Sequence, residues 1–510
     1  LARSWLWPAL PCCSSNKQQS LTPSLISLVA KQYRIPVVPL YSGQQNRPQS
    51  VRGKEIEMKS IPRLPVMLIL SACMIFGSAW AQGNNPAIEK TVDAFLKPIV
   101  DDDLISGCVL IARKGGIVLS KCYGPANREY DIPNMPGTKF RLGSNTKQFT
   151  AMGIMILADE GKLSVDDPIS TFYPDYHEGS RITIHHLLTH SSGIVNYNSL
   201  PDYGEKMLQP LTIDEVIDWF KNEPLQFEPG ARFAYSNSGY VILAGIIEKV
   251  SGQSYAEFLH DRIFEPLGMH DTGQDVYTEI IKNRATGFGS DGQHIYHVPY
   301  RDMPFTSGAG SLYSTIGDLF LWDQSLYTEK LVSHETMEKI FTPHIANYGY
   351  GWFIDERFGR KLIWHGGAIN GFLSDISRFV DDTILAITLF NYESTFSHAA
   401  ARGIGAIAVG EEPEPLLIIP PLAVDPAVLG GYAGKYELMP EYILTIGNDG
   451  SRLFVQENDG PELDAAAQTE DKFFIRGLNS LIKFNQDESG EVTGLILVQG
   501  VHPFRARKIM

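Results

Sequence analysis

Apolar and polar positions divide this chain into stretches of different texture. Residues 87–99 read as a helix, and two mostly apolar runs at 106–112 and 117–123 follow. Lys114-Gly115-Gly116 separates the runs and marks a hairpin. From about 140 to 345 helical segments dominate, with long loops between them. One apolar helix runs from the residues after Gly143 through Phe149, Met152, Ile156 and Leu157 to Gly161. Another follows the Pro229-Gly230 turn and reaches Val250. Strand texture returns at 362–365, 373–380 and 384–391, and a helix rich in Ala and Gly is expected at 397–409. This order predicts an α+β fold, an antiparallel sheet built from both ends of the segment and flanked by helices, with a helical region inserted between.

Glu411-Glu412-Pro413-Glu414-Pro415, Pro420-Pro421 and Pro426 then form a stiff, partly acidic connector over 411–426. Beyond it, 427–510 shows short alternating runs at 442–446, 453–456, 473–475, 481–484 and 494–498. Asn448-Asp449-Gly450 and Glu488-Ser489-Gly490 supply turns, so this part reads as a small all-β barrel.

Composition changes the picture mainly at the N-terminus. The 510 residues are 44% hydrophobic and 20% charged, which excludes a mainly disordered chain and a disulfide-stapled miniprotein. The formal net charge of −15 excludes a broad electrostatic surface for nucleic acid. Residues 1–81 carry 9 Lys/Arg against 2 acids, leaving 34 basic and 56 acidic residues, a net −22, in 82–510. The first Met is Met58, followed by Lys59 and Arg63, an apolar stretch over 64–76, and Ala79-Trp80-Ala81. This is the layout of a secretory signal peptide over 58–81, too short in its apolar part for a membrane span. Residues 1–57 are then expected to be a non-native leader, with no transmembrane span left after signal removal. Export to the periplasm or beyond is the first reading. A lipid anchor at Cys73, in Leu70-Ser71-Ala72-Cys73, ranks second because Met74-Ile75-Phe76 prolongs the apolar run past it.

Two cysteines remain, Cys108 and Cys122, one on each arm of the hairpin. A three-residue loop centred on Gly115 would place them opposite each other. Either two-residue loop would put them on opposite faces. Two small buried hydrophobes are therefore expected, with a bridge as the alternative.

In Gly143-Ser144-Asn145-Thr146-Lys147, Lys147 lies one helical turn beyond Ser144 and on the same face. A desolvated lysine can remove the proton that keeps a serine hydroxyl a poor nucleophile. A helix start at Ser144 would also favour negative charge at its N–H. Ser-x-x-Lys alone occurs often by chance and reads first as a capping serine beside a solvated lysine. Two later segments change that. Tyr235-Ser236-Asn237 precedes an apolar helix, where a phenol can relay a proton and an amide can bind a carbonyl. His365-Gly366-Gly367-Ala368 ends a strand, where glycines let a substrate backbone approach the edge. His186 and His190, spaced i, i+4 on a short helix, lack a third ligand, so structural packing is favoured and no metal or cofactor is expected.

The ordered set Ser-x-x-Lys, Tyr-x-Asn, His-Gly-Gly resembles the serine β-lactamase and penicillin-binding-protein superfamily. The nearest branch is class C-like, with D,D-carboxypeptidase, D-amino-acid peptidase and esterase relatives. Residues 182–193, 263–269 and 307–314 carry supporting motifs, the resemblance covers about 87–410, and the hydrolase domain is expected over 82–410. Gly431-Tyr432-Ala433-Gly434-Lys435-Tyr436 makes 427–510 similar to a lipocalin-like module.

The resemblance implies Ser144 as nucleophile, Lys147 as general base and Tyr235 as proton shuttle. It implies an oxyanion hole from the N–H groups of Ser144 and Ala368. Asn237 would hold the acyl-side amide. His365, with Gly366 and Gly367, would line the leaving-group side and carry a charge that depends on pH. Loops 198–212 and 272–306 would shape the pocket. The substrate would be a small molecule or peptide. Hydrolysis of D-amino-acid or cell-wall-like peptides comes first, carboxylester or β-lactam hydrolysis second, and a non-catalytic penicillin-binding scaffold third.

Overall fold

The structure, a computed structural model, describes residues 84–510 except 291–293, 395, 417–421, 423, 440–441, 458–461, 476–479, 488, 500–501 and 510. The leader, the signal segment and Cys73 lie outside the described residues.

Strand β1 (Gly107–Arg113) is apolar at successive positions because both of its faces are covered. Cys108, Leu110 and Ala112 point into one core, and Val109 and Ile111 into another. With β2 (Gly116–Tyr123), β3 (Phe353–Arg357), β4 (Arg360–Ile369), β5 (Phe372–Phe379) and β6 (Ile384–Phe390) it forms a six-stranded sheet. Its order, β3-β4-β5-β6-β1-β2, is antiparallel throughout and joins the two ends of the domain, as expected. Helix α1 (Pro86–Asp101) and helix α5 (Ser397–Val409) cover one face. Ala400, Ile404, Ile407 and Ala408 pack there against Val92, Phe95, Leu96 and Ile99.

The opposite face carries the inserted helical region. Helix α2 (Thr146–Asp159) is buried from Thr146 to Leu157, so it presents no polar face to solvent. It is enclosed by α4 (Asn237–Ser251) and by aromatic rings, with Phe149 edge-on to Phe264 at 5.6 Å and 4.4 Å from Trp322. Helix α3 (Ile184–Leu188) is short and also packs on α4. Among the described residues no helix is long and apolar enough to cross a membrane.

The C-terminal part opens with a short helix, α6 (Pro426–Tyr432), which the strand pattern did not indicate. A closed eight-stranded barrel follows, β7 (Gly434–Met439), β8 (Tyr442–Asn448), β9 (Leu453–Glu457), β10 (Glu462–Ala467), β11 (Lys472–Ile475), β12 (Ser480–Gln486), β13 (Val492–Gln499) and β14 (His502–Lys508). Each strand pairs with the next, and β7 pairs with β14 to close the ring. Alternate side chains, among them Leu444, Ile446, Val455, Phe473, Phe484 and Leu495, fill the interior. Tyr432 of α6 stacks on Phe484 at 4.0 Å, and its carbonyl accepts the Tyr436 hydroxyl at 2.6 Å.

Cys108 and Cys122 are disulfide-bonded, against the expectation of two unbridged thiols. The turn itself is the two-residue form, Lys114-Gly115, with both residues at positive φ. That form alone would separate the cysteines. A β-bulge in β2 inserts one extra residue between the partners of Ile111 and Ala112, shifts the register by one and sets Cys108 opposite Cys122.

Because the bridge closes a loop of sequence separation 14, its reduction is expected to lower unfolding free energy by about 2–3 kcal/mol. Denaturant unfolding of oxidised and reduced protein measures this, and coincident midpoints would contradict it.

Candidate active site

Ser144 sits in a 3-10 turn, Gly143–Asn145, that runs directly into α2. The turn lies against strand β4. Gly143 adopts φ +52°, and a Cβ there would stand 2.8 Å from the backbone of Ala368. A Cβ on Gly367 would stand 2.0 Å from the Leu142 carbonyl oxygen. Only residues without side chains allow the two backbones to approach so closely. Ser374 on β5 clamps the same turn: its hydroxyl donates to Leu142 O at 2.7 Å and accepts from Asn145 Nδ2 at 2.7 Å. Asn145 Oδ1 accepts from Gln148 Nε2 at 2.6 Å, and Gln148 Oε1 accepts from Trp322 Nε1 at 2.9 Å.

Lys147 is fully buried, and its amine has three neighbours: Ser144 Oγ at 3.1 Å, Asn237 Oδ1 at 2.8 Å and the Ala309 carbonyl oxygen at 2.8 Å. Burial holds its pKa well below the ordinary lysine value. A neutral amine has two N–H donors and one lone pair. The two carbonyl oxygens take the donors, so the lone pair is left to accept the Ser144 hydroxyl.

Asn237 begins α4, and its backbone N–H donates to Asn196 Oδ1 at 3.2 Å. Its Nδ2 donates to Asn198 Oδ1 at 2.8 Å, which fixes Oδ1 toward Lys147 and leaves one Nδ2 hydrogen uncommitted. The Tyr235 hydroxyl lies beside Ser144, and burial raises its pKa so that the phenol is protonated at neutral pH. Its ring centroid lies 4.8 Å from Lys147 Nζ and 4.2 Å from that of the His190 ring.

A cavity of about 360 Å³ opens beside Ser144. Asn237, Ala368, Ile369 and Asn370 line it, and the loops expected to shape it contribute Asn198, Tyr203, Tyr296 and Arg301. Residues 365–369 of β4 pair with β5 on one side only, while β3 ends its pairing at Trp364. That leaves a strand edge next to Ser144, and a Cβ on Gly366 would meet nothing closer than 3.8 Å.

His365 departs from expectation. Its ring is buried and does not line the cavity. Nδ1 donates to the Gly366 carbonyl at 2.6 Å, and Nε2 accepts from the Tyr348 hydroxyl at 3.0 Å, a tautomer assigned from these partners. Burial first, then the Lys147 charge, pushes its pKa down to about 3, so its charge does not vary around neutrality. The two helix histidines also separate. Helix α3 ends at Leu188, His186 Nδ1 accepts the Thr183 N–H in a capping box at 3.2 Å, and His190 turns into a buried aromatic nest at φ 54°. Its Nδ1 accepts the Ser236 N–H at 3.2 Å. No group of His, Cys, Asp or Glu among the described residues is arranged to hold a metal ion.

Asn198, the Ala309 carbonyl and Tyr348 were not singled out from the sequence. Ala309 did lie in a recognised motif, 307–314, but a backbone acceptor leaves no residue-type signal.

The family model described as Beta-lactamase matches residues 88–409. The chain is 28% identical over 438 residues to penicillin-binding protein 4* of Bacillus subtilis, covering 81% of this chain and 97% of that protein. It is 26% identical over 387 residues to a D-aminopeptidase of Brucella ovis, covering 71% and 70%. The solved octameric penicillin-binding protein homologue from Pyrococcus abyssi superposes with a TM-score of 0.59 at 27% identity, covering 82% of this chain and all of that one.

His365 is expected to remain neutral from pH 8 down to about 4 in an NMR titration of labelled histidines, and a midpoint near the ordinary histidine value of 6.5 would contradict this. The unfolded imidazole binds a proton near 6.5 and the folded one only near 3, so this group's contribution is complete above 6.5 and is lost as pH falls below it.

Proposed function

Because the chain belongs to the Beta-lactamase family and is a serine hydrolase, we propose that it hydrolyses D-amino-acid or cell-wall-like peptides through an ester on Ser144. The observation that carries this reading is the buried Lys147 amine, 3.1 Å from Ser144 Oγ, with both of its N–H groups taken by carbonyl oxygens. Lys147 accepts the Ser144 proton as the hydroxyl attacks the substrate carbonyl. The N–H groups of Ser144 and Ala368 receive the oxyanion, held at that spacing by the close approach of Gly143 to the Ala368 backbone. Tyr235, protonated and beside Ser144, gives its hydroxyl proton to the departing amine and is reprotonated by the proton Lys147 took from Ser144, so that both groups end neutral. Water then cleaves the ester by the reverse route. The uncommitted Nδ2 hydrogen of Asn237 binds the acyl-side carbonyl, and the free edge at Gly366 takes the substrate backbone.

A D-aminopeptidase and a penicillin-binding protein among the relatives support a peptide substrate. Export fits the same reading. Residues 58–81 act as a signal peptide, and the Cys108–Cys122 bridge suits an oxidising compartment. The barrel that follows the 411–426 connector serves as an accessory module governing access or assembly.

Turnover of a panel containing p-nitrophenyl esters, D-Ala-D-Ala peptides, D-aminoacyl amides and a cephalosporin tests the substrate class. The peptides or D-aminoacyl amides are expected to give the highest kcat/KM, and exclusive turnover of esters or the cephalosporin would overturn it. Fluorophosphonate labelling followed by peptide mapping should mark Ser144 and vanish in Ser144→Ala. Lys147→Ala should slow acylation about 10³-fold or more. Wild-type acylation should fall at acidic pH as Lys147 becomes protonated, and a Lys147→Ala rate equal to wild type would refute the base.

A further inference from the structure

Around the cavity a continuous chain of contacts leads from the catalytic lysine to an arginine. Asn237 Oδ1 accepts from Lys147, Asn237 Nδ2 donates to Asn198, and Asn198 Nδ2 donates to the Tyr203 hydroxyl at 2.8 Å. The Arg301 guanidinium lies 5.4 Å from the centroid of the Tyr203 ring, and its Nε donates to Asn370 Oδ1 at 2.9 Å. Asn370 is itself fixed, donating from Nδ2 to the Pro299 carbonyl at 2.9 Å. Arg301 is half-buried and faces the cavity, yet among the described residues no carboxylate pairs with it. The adjacent carboxylate of Asp302 accepts the Tyr300 hydroxyl on Oδ2 at 3.3 Å, its buried Oδ1 has no hydrogen-bond partner among the described residues, and it forms no ion pair with Arg301. Glu393, at the same cavity, is exposed and accepts the Gly371 N–H at 3.2 Å.

From this arrangement we infer that Arg301 is a specificity residue for a carboxylate carried on the acyl half of the substrate, a deepening that rests on the reaction proposed above. With Nε committed to Asn370, the two terminal nitrogens remain as a planar fork that matches a carboxylate in bidentate geometry. Tyr203 and Asn370 hold the fork in place, so little side-chain entropy is lost when it is used. The side is set by the chemistry. Tyr235 serves the leaving group and does not line the cavity, whereas Asn237 and Ala368 do. The cavity therefore receives the acyl half. Asn370 lies two residues beyond Ala368, in the turn after β4 and about 7 Å on, which places the bound charge about two residues' length from the scissile carbonyl.

Two matched pairs of p-nitroanilides test this: N-succinyl-D-alanyl against its methyl ester, and D-glutamyl against D-glutaminyl. Within whichever pair is turned over, the wild-type enzyme should favour the carboxylate about tenfold in kcat/KM. That ratio should collapse to about one in Arg301→Gln whatever the absolute rates, and take an intermediate value in Arg301→Lys, which keeps the charge and loses the fork. Fluorophosphonate labelling of Ser144 in each variant reports that the fold is intact. Turnover without a charge preference, or a preference unchanged in Arg301→Gln, overturns this inference alone. Failure to cleave any of the four by an enzyme whose Ser144 is labelled overturns the peptidase reading and this inference with it.

Discussion

The amine of Lys147 has room for three partners and no more. Two are carbonyl oxygens from distant parts of the chain, Asn237 Oδ1 and Ala309 O, and the third is the Ser144 hydroxyl. This arrangement is favourable only if the amine is neutral, because an ammonium buried without a counter-charge costs several kcal/mol. The remainder of the hydrolase domain maintains that condition. Helix α2 is enclosed on every side through Leu157, and the rings of Tyr235 and Tyr240 stand 4.8 and 5.4 Å from the nitrogen. The nearby histidines, His190 and His365, are themselves held neutral by burial. A carboxylate introduced near Lys147 would restore its proton and remove the lone pair from Ser144.

A second constraint fixes the orientation of Ser144. The Ser144 turn is docked on β4 through two backbone approaches that tolerate no side chain, Gly143 on Ala368 and Leu142 on Gly367. Ser374 holds it from β5, and the Trp322–Gln148–Asn145 chain holds it from the helical side. Ser144 is thus braced from both layers of the domain. Such bracing matters because stabilisation by N–H dipoles is large only when they are already aimed at the developing charge.

The sheet was legible because β1 and β4 to β6 carry runs of apolar residues bounded by turn signals, and their pairing follows from burial of both faces. Barrel strands β10 and β14 were not legible. Their sequences, Glu462-Leu463-Asp464-Ala465-Ala466-Ala467 and His502-Pro503-Phe504-Arg505-Ala506-Arg507-Lys508, alternate only weakly and acquire strand character from their neighbours. The disulfide was hidden by a one-residue bulge, which no loop-length argument contains. His365 was placed at the right strand end, but its partner Tyr348 comes from a separate segment, and only the fold shows that both ring nitrogens are occupied. Ser144, Lys147, Tyr235 and Asn237 were found together because their chemistry is written in side chains.

Neutralising the interior has a consequence for selectivity. Lys147, His190 and His365 are all held toward their neutral forms by burial, so on the proposed reading the groups that border Ser144 would act through dipoles. Discrimination by charge must then come from further out. There the cavity has one half-buried cation, Arg301, and one exposed acid, Glu393, both bonded to the Asn370-Gly371 turn that follows the catalytic edge of β4. On the proposed reading that turn would serve both chemistry and recognition, since any shift at Asn370 moves the guanidinium relative to Ala368. A charge held at the turn and a carbonyl held at Ala368 would then be gauged by the same strand.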